Sequence, residues 1–224
     1  MMHGKPRTPG TILLDVDGTL VDTNYHHAVA WYRGFRQHGL TLPVWRLHRH
    51  IGMGGDHLVK AVAGERVERE LGDAIRESAS QRYAEVMEEA APFAGAADML
   101  GALRDEGWTA VLASSARQSE LDHYIEILHA RGRVAAWTGA DDVAATKPEP
   151  DLIQAALGKV GATSGLMVGD SVFDCAAAAR AGIDSVALLT GGFSREELTE
   201  AGALEVFESL GEFQEWLGLR AAAN

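Results

Sequence analysis

The stretch ILLDVDGTLVD, residues 12–22, passes from an apolar run straight into Asp15 and Asp17, one residue apart. Each carboxylate raises the cost of ionising the other, in a chain that already holds 32 acidic against 20 basic residues and a formal net charge of -12. Such crowding is tolerable where something positive sits between the acids. The apolar run also decides the fold. It reads as the first of five strands, at 11–15, 109–114, 134–139, 165–170 and 185–190, rich in Val, Ile and Leu without polar alternation, as parallel strands covered on both faces are. Segments 96–106, 118–131, 150–160 and 172–181 have helical spacing, with Gly107, Gly161 and Gly182 placed as C-caps. Strand and helix alternating in this way predict an α/β fold with a doubly wound parallel sheet and right-handed crossovers.

Residues 22–91 break the alternation. They show no convincing strand and are rich in helix formers, notably ERVERELGDAIRESASQRYAEVMEEAA at 65–91, with glycines gathered at IGMGGD, 51–56. The expected organisation is an α/β core of 1–21 and 92–224 with an all-helical insertion at 22–91. A hydrophobic content of 46% and a charged content of 23% are those of a globular protein, and no apolar run is long enough to span a bilayer. MMHGKPRTPG at 1–10 carries basic residues with no apolar stretch behind them, so it reads as a short loose lead-in rather than a signal peptide. Cys175 is the single cysteine, which excludes an intramolecular disulfide and points to the cytoplasm. The acidic balance offers no general attraction to nucleic acid or to an anionic membrane. An anionic ligand would need cations supplied locally.

The ligand crevice of an open parallel sheet lies beyond the carboxyl ends of its strands. There the sequence places Asp15 and Asp17 after the first strand, Ser114 and Ser115 after the second, Gly169 and Asp170 after the fourth, with Asp174 one helical turn on, and Lys147 in ATKPEPD. At a strand's period of two, Asp15 and Asp17 share a direction, and Gly18 lets the chain turn. Two carboxylates and Asp170 in one cleft call for a hard divalent cation with oxygen ligands, and Mg²⁺ suits a site with few carboxylates and room for phosphate. Lys147 adds a second positive charge, and Ser114 a hydroxyl for a phosphate oxygen. Two acids so crowded do not ionise alike. Asp15 is expected to attack while Asp17 protonates the leaving group.

Asp15 to Thr19 (DVDGT), Ser114 after an apolar strand, Lys147 before a proline, and GDSVFD with Asp170 and Asp174 resemble, in order, the four motifs of the haloacid dehalogenase superfamily. The resemblance covers nearly the whole chain, including a helical cap between the first motif and the second. It implies a Rossmann-like core, an aspartyl-phosphate on Asp15, Asp17 as general acid and then base, and Mg²⁺ held by Asp15, the Asp17 carbonyl and Asp170 with Asp174 in support. Ser114 and Lys147 would bind phosphate. Dehalogenases and phosphonoacetaldehyde hydrolases of this superfamily depart from the pattern at the position of Asp17, which favours phosphoryl transfer. RHIGMGGDHLVKA looks like the cap loop of phosphoglycolate phosphatases, whereas sugar phosphomutases of the beta-phosphoglucomutase type place an arginine near Gly55. The expected activity is therefore a Mg²⁺-dependent phosphatase for a small phosphorylated metabolite, with a sugar phosphomutase as the alternative.

Each residue also has a plainer reading. DVDGT alone could end a strand in an acidic turn, Lys147 could be a loop lysine, Ser114 and Ser115 could cap a helix, and Asp170 and Asp174 could serve a helix dipole. Their joint placement carries the inference. Response-regulator receivers gather similar groups but are shorter, lack the insertion and carry the acceptor on a later strand; a silent binding protein would not need every acid intact. His27, Gly54, Asp56, His57 and Lys60 are expected on the insertion's side of the pocket, with Ser115 on the core side. His48, His50 and His57 do not have zinc spacing. Cys175 reads as a buried structural thiol, and Asp141 and Asp142 as surface charge.

Overall fold

The computed structural model describes residues 9–219, so most of the lead-in read at 1–10 lies outside the described residues. After β1 (Thr11–Leu14) come the two-residue β2 (Val21–Asp22) and four helices, α1 (Asn24–Gln37), α2 (Val44–His48), α3 (Gly55–Ala63) and α4 (Glu65–Ala84), followed by the two-residue β3 (Ala91–Pro92). Then α5 (Ala96–Asp105), β4 (Thr109–Ala113), α6 (Gln118–Ile127), β5 (Ala136–Thr138), α7 (Asp151–Lys159), β6 (Leu166–Gly169), α8 (Val172–Ala181), β7 (Asp184–Leu188), α9 (Arg195–Glu200), β8 (Ala203–Phe207) and α10 (Leu210–Leu217) alternate. Six strands form one parallel sheet in the order β5-β4-β1-β6-β7-β8. Leu14 of β1 stands opposite Leu112 of β4 and Val168 of β6, which brings three strand tips side by side.

Alternation along the strands fills two layers. Ile12, Leu14, Leu112 and Val168 pack with Met99, Leu100 and Leu103 of α5 and with Leu121 and Ile125 of α6. Leu13, Val111, Ala113 and Met167 pack on the other face with Leu152, Ile153 and Ala156 of α7 and Ala177 and Ala178 of α8. Removing each such leucine or isoleucine side chain from water is worth about 1.5–3 kcal/mol, so the central strands are anchored from both sides.

The sheet has one strand more than expected. β8 carries exposed Leu204 and Glu205 between buried residues, so it lacks the unbroken apolar signature of a central strand. The helix expected at 118–131 stops at Ile127, because the chain turns back through His129 at φ 48° and the Ala130 N–H bonds the Ile125 carbonyl at 2.9 Å. No helix among the described residues is long and apolar enough to cross a membrane.

Helices α1 to α4 pack around their own apolar cluster, including Ala28, Phe35, Leu47, Leu58, Val59, Val62 and Ile75. Against the expectation of no strand in 22–91, Asp22 and Ala91 pair at its two ends: β2 and β3 run antiparallel, Val21 opposite Pro92 and Asp22 opposite Ala91. α1 crosses α4 at Gly34, where a Cβ would stand 2.9 Å from the Ala79 amide nitrogen. Overpacking of this kind costs about 1–3 kcal/mol. Gly34→Leu should therefore lower the melting temperature by several degrees, followed by circular dichroism at 222 nm; an unchanged melting temperature would contradict the close crossing.

Candidate active site

The tips of β1 and β6, the first turn of α8 and the loop before α7 meet at one point. Asp15 follows β1 directly, its N–H bonded to the Val168 carbonyl of β6 at 2.9 Å. Lys147 reaches in from the loop before α7, only 1% exposed. Its ammonium donates to Asp15 Oδ1 and stands 2.8 Å from Asp174 Oδ1. Asp174 Oδ2 takes the Ser171 N–H at 3.1 Å. Asp170 accepts from the Thr19 hydroxyl at 3.3 Å and from the Asn24 side-chain amide at 2.8 Å. Gly18, at φ 76°, makes this closeness possible, since a Cβ there would lie 2.1 Å from Asp170 Oδ2.

The charges do not balance. Burial pushes the Asp15 carboxyl well above the ordinary carboxylate range; Lys147 opposes this, while Asp174, Asp170 and Asp17 add to it. Burial and then the Asp174 charge push Asp170 up to about 7. Burial works against the Lys147 ammonium, yet Asp15 and Asp174 more than offset it and hold the group charged. Carboxylate oxygens of Asp15, Asp170 and Asp174 lie within 4.8 Å of one another, and Asp15 Oδ2 is buried with no hydrogen-bond partner among the described residues. An all-oxygen cluster short of positive charge, with a bare carboxylate oxygen, fits a hard divalent cation.

Asp17, although it lines one cavity with Asp15, has a different set of hydrogen-bond partners. The ladder of β1 stops at Leu14, and the amides of Leu20 and Val21 turn back onto the Val16 carbonyl at 2.9 and 3.0 Å, so the strand's period no longer applies. Asp17 Oδ1 accepts from the Thr23 hydroxyl at 2.8 Å, His27 Nε2 at 2.9 Å and the Tyr124 hydroxyl at 2.8 Å. Oδ2 accepts from the Ser114 hydroxyl at 3.2 Å. Burial alone would raise this carboxyl; the His27 charge and the hydrogen bonds from His27, Thr23 and Tyr124 outweigh it and lower it to about 2. His27 is itself raised: burial disfavours its proton, but the Asp17 carboxylate wins. Its ring stacks on Tyr83 with centroids 3.8 Å apart.

A cavity of about 270 Å³ opens above these two acids, between the sheet edge and the inserted helices. Of the residues expected around it, Asp15, Asp17, His27, Asp56 and Ser115 line it, and the buried Ser115 hydroxyl has no hydrogen-bond partner among the described residues. Ser114 lies beneath, its oxygen also accepting the Ala116 N–H at 3.0 Å. Gly54 serves as a dock instead: its N–H donates to the Lys147 carbonyl at 3.0 Å, and a Cβ would strike the Thr146 hydroxyl at 1.4 Å. Asp56 beside it accepts from both the backbone N–H and the hydroxyl of Thr146. His57 turns to Asp56 at 3.3 Å, and Lys60, 58% exposed, pairs with Glu65 at 2.9 Å, so the structure moves these two off the pocket wall. The sequence reading missed Trp31, Arg76, Tyr83 and Glu120, which line the cavity, and Tyr124 behind it. Asp141, read as surface charge, lines it too and accepts the Gln118 N–H at 2.9 Å. His48 stacks on Tyr25 and His50 bonds the Arg46 carbonyl, away from any shared ligand position with His57. Cys175 is buried and its thiol is pushed up to about 12, by burial first and then by Asp174.

Residues 12–188 match the family model described as haloacid dehalogenase-like hydrolase. The phosphoglycolate phosphatase of Rhodospirillum rubrum is 30% identical over 222 residues, covering 94% of this chain and 91% of that one. That of Caulobacter vibrioides is 30% identical over 206 residues, covering 89% and 86%. The crystal structure of a hydrolase from Pseudomonas syringae superposes with a TM-score of 0.85 at 31% identity, over 92% of this chain and 98% of that one.

The Asp17–His27 pair makes a pH signature. Asp17, at about 2 when folded against 3.8 as a free group, contributes stability above 3.8 that is lost as pH falls toward 2, about 2 kcal/mol in all. His27, raised from 6.5, contributes stability below 6.5 that is lost as pH rises through its folded value. The melting-temperature difference between wild type and His27→Gln should therefore be largest between pH 3.8 and 6.5 and shrink on both sides. A difference independent of pH across that range would show that the pair is not formed.

Proposed function

This chain belongs to the haloacid dehalogenase-like hydrolase family, and we propose that it is a Mg²⁺-dependent phosphatase acting on a small phosphorylated metabolite through an aspartyl-phosphate on Asp15. The observation that carries the reading is the division of labour between two neighbouring acids. Asp15 sits in an acid-rich cluster with one bare oxygen, while both oxygens of Asp17 are held by hydroxyls and an imidazole. Asp15, Asp170 and Asp174, with the Asp17 backbone carbonyl, would hold Mg²⁺, which when bound offsets the carboxylate charge and polarises the phosphoryl group.

In the first half-reaction a carboxylate oxygen of Asp15 bonds to phosphorus as the ester P–O bond breaks, and a proton on Asp17 passes to the leaving oxygen. In the second, water adds to phosphorus, its proton goes to Asp17, and the bond from Asp15 to phosphorus breaks. The ionised Asp17 favoured by His27, Thr23 and Tyr124 is the form that takes up that proton. Lys147 holds Asp15 in place and supplies positive charge to the transferring group. Ser115, whose hydroxyl has no partner among the described residues, would donate to a phosphate oxygen, whereas the single Ser114 proton is already spent on Asp17.

The relatives' names and the cavity's modest size favour a small substrate. Hydrolysis is favoured over mutase chemistry by the commitments of Arg76. Its guanidinium already donates to both oxygens of Glu68, to Asp73 and to the Gly55 carbonyl, and so has little left for a second phosphate. The lone buried Cys175 suits a reducing cytoplasm.

Phosphate release should be measured over a panel of phosphorylated metabolites, with Mg²⁺ and with excess EDTA. Chelation should abolish turnover and Mg²⁺ restore it, and Asp15→Asn should lower kcat at least about a thousandfold. Normal turnover by Asp15→Asn would remove the nucleophile assigned here, and isomerised product with little free phosphate would replace the phosphatase by a mutase.

A further inference from the structure

Tyr124 and Tyr83 form a chain of hydroxyls that ends on Asp17. Tyr124 belongs to α6, on the sheet side, and is fully buried; Tyr83 belongs to α4, in the inserted helices, and is 1% exposed. Their hydroxyls are hydrogen-bonded to each other, and the Tyr124 hydroxyl lies 2.8 Å from Asp17 Oδ1. The Tyr124 hydroxyl donates to Asp17 Oδ1, and with its single proton spent there it accepts from Tyr83. The order of donation is thereby fixed, from the insertion inward. Tyr83 is itself held by its stack on His27, whose Nε2 reaches the same Asp17 oxygen.

The bonds on Asp17 are lopsided. Oδ1 receives Thr23, His27 and Tyr124 at 2.8–2.9 Å, whereas among the described residues Oδ2 receives only Ser114, at 3.2 Å. Three donors saturate the first oxygen and fix the plane of the carboxyl group; the second is lightly held, and Asp17 itself lines the cavity. We propose that Tyr124, aligned by Tyr83, is a positioning residue that assigns proton transfer to Asp17 Oδ2, and that the assignment is complete only when the inserted helices are seated on the sheet edge. The inference rests on the phosphatase reading. In its first half-reaction the proton leaves Oδ2 for the leaving-group oxygen as the P–O bond breaks and Asp15 takes the phosphoryl group; in the second, water returns a proton to Oδ2 as its oxygen bonds to phosphorus and Asp15 is freed. Thr23 and His27 remain on Oδ1 without the tyrosines, but both come from one side, the segment just after β2. Tyr124 is the donor to Oδ1 from the sheet side.

The test separates proton delivery from phosphoryl transfer. Steady-state kinetics with Mg²⁺ are compared for an alkyl phosphate, whose leaving group needs a proton, and for p-nitrophenyl phosphate, whose leaving group departs without one, in wild type, Tyr124→Phe and Tyr83→Phe. Tyr124→Phe should lower kcat on the alkyl ester about tenfold to a hundredfold with KM changed less than about threefold, and the loss should exceed that on p-nitrophenyl phosphate at least about fivefold. Tyr83→Phe should show the same leaving-group bias to a smaller degree. Both variants keep the ring, and their melting curves are recorded alongside. Equal losses on both esters, a change in KM alone, or wild-type kcat in Tyr124→Phe would overturn the assignment while leaving the phosphatase reading intact. Wild-type protein that releases no phosphate from either ester would overturn both.

Discussion

The Lys147 ammonium is the interaction on which the rest depends. It is buried between Asp15 and Asp174, and an unpaired ammonium or carboxylate there would bear a desolvation cost of several kcal/mol. Its bonds tie the end of β1, the loop before α7 and the first turn of α8 into one unit. The backbone of the same residue, through its carbonyl, receives Gly54 of the inserted helices. One residue thus sets the charge of Asp15's surroundings and the seat of the helical layer above it. Three acids against a single lysine still leave the cluster short of positive charge, and this shortage gives the site its appetite for a divalent cation.

The sheet order explains why these groups meet at all. β1 lies between β4 and β6, so Ser114, Asp15 and Asp170, which are separated by many residues along the chain, follow three adjacent strands. The hydrophobic layers on both faces hold those strands in register, and the register holds the tips. Asp17, only two residues from Asp15, escapes the cluster because the hydrogen-bonded ladder has ended and the chain has begun to turn. A short turn therefore turns two like acids into unlike ones, one poor in donors and the other saturated.

Much of this was legible in the sequence, for definite reasons. Asp15, Ser114 and Asp170 each end an unbroken apolar run, and a polar residue in that place announces itself. Lys147 was visible because a cluster of acids needs it. The edge strand β8 was not, since its exposed Leu204 and Glu205 imitate a loop. Tyr83 and Tyr124 were hidden differently: on a helix, a buried aromatic reads as core, and nothing local says that its hydroxyl meets a carboxylate from a strand tip. Lys60 and His57 erred the other way, because a polar residue in a glycine-rich segment looks available until its neighbours, Glu65 and Asp56, are seen. Glu120 shows the same limit, its surroundings being set by His27 and Asp17 from elsewhere in the chain.

The pairing of Val21 with Pro92 and of Asp22 with Ala91 has a consequence for descent as well as for structure. The chain leaves the sheet and returns to it through neighbouring positions, so whatever lies between them is a closed excursion whose ends are already joined. Such an excursion can lengthen, shorten or exchange its residues without pulling on the strand register. Selection could thus remodel the chamber's roof while the floor of acids at the strand tips stayed as it was.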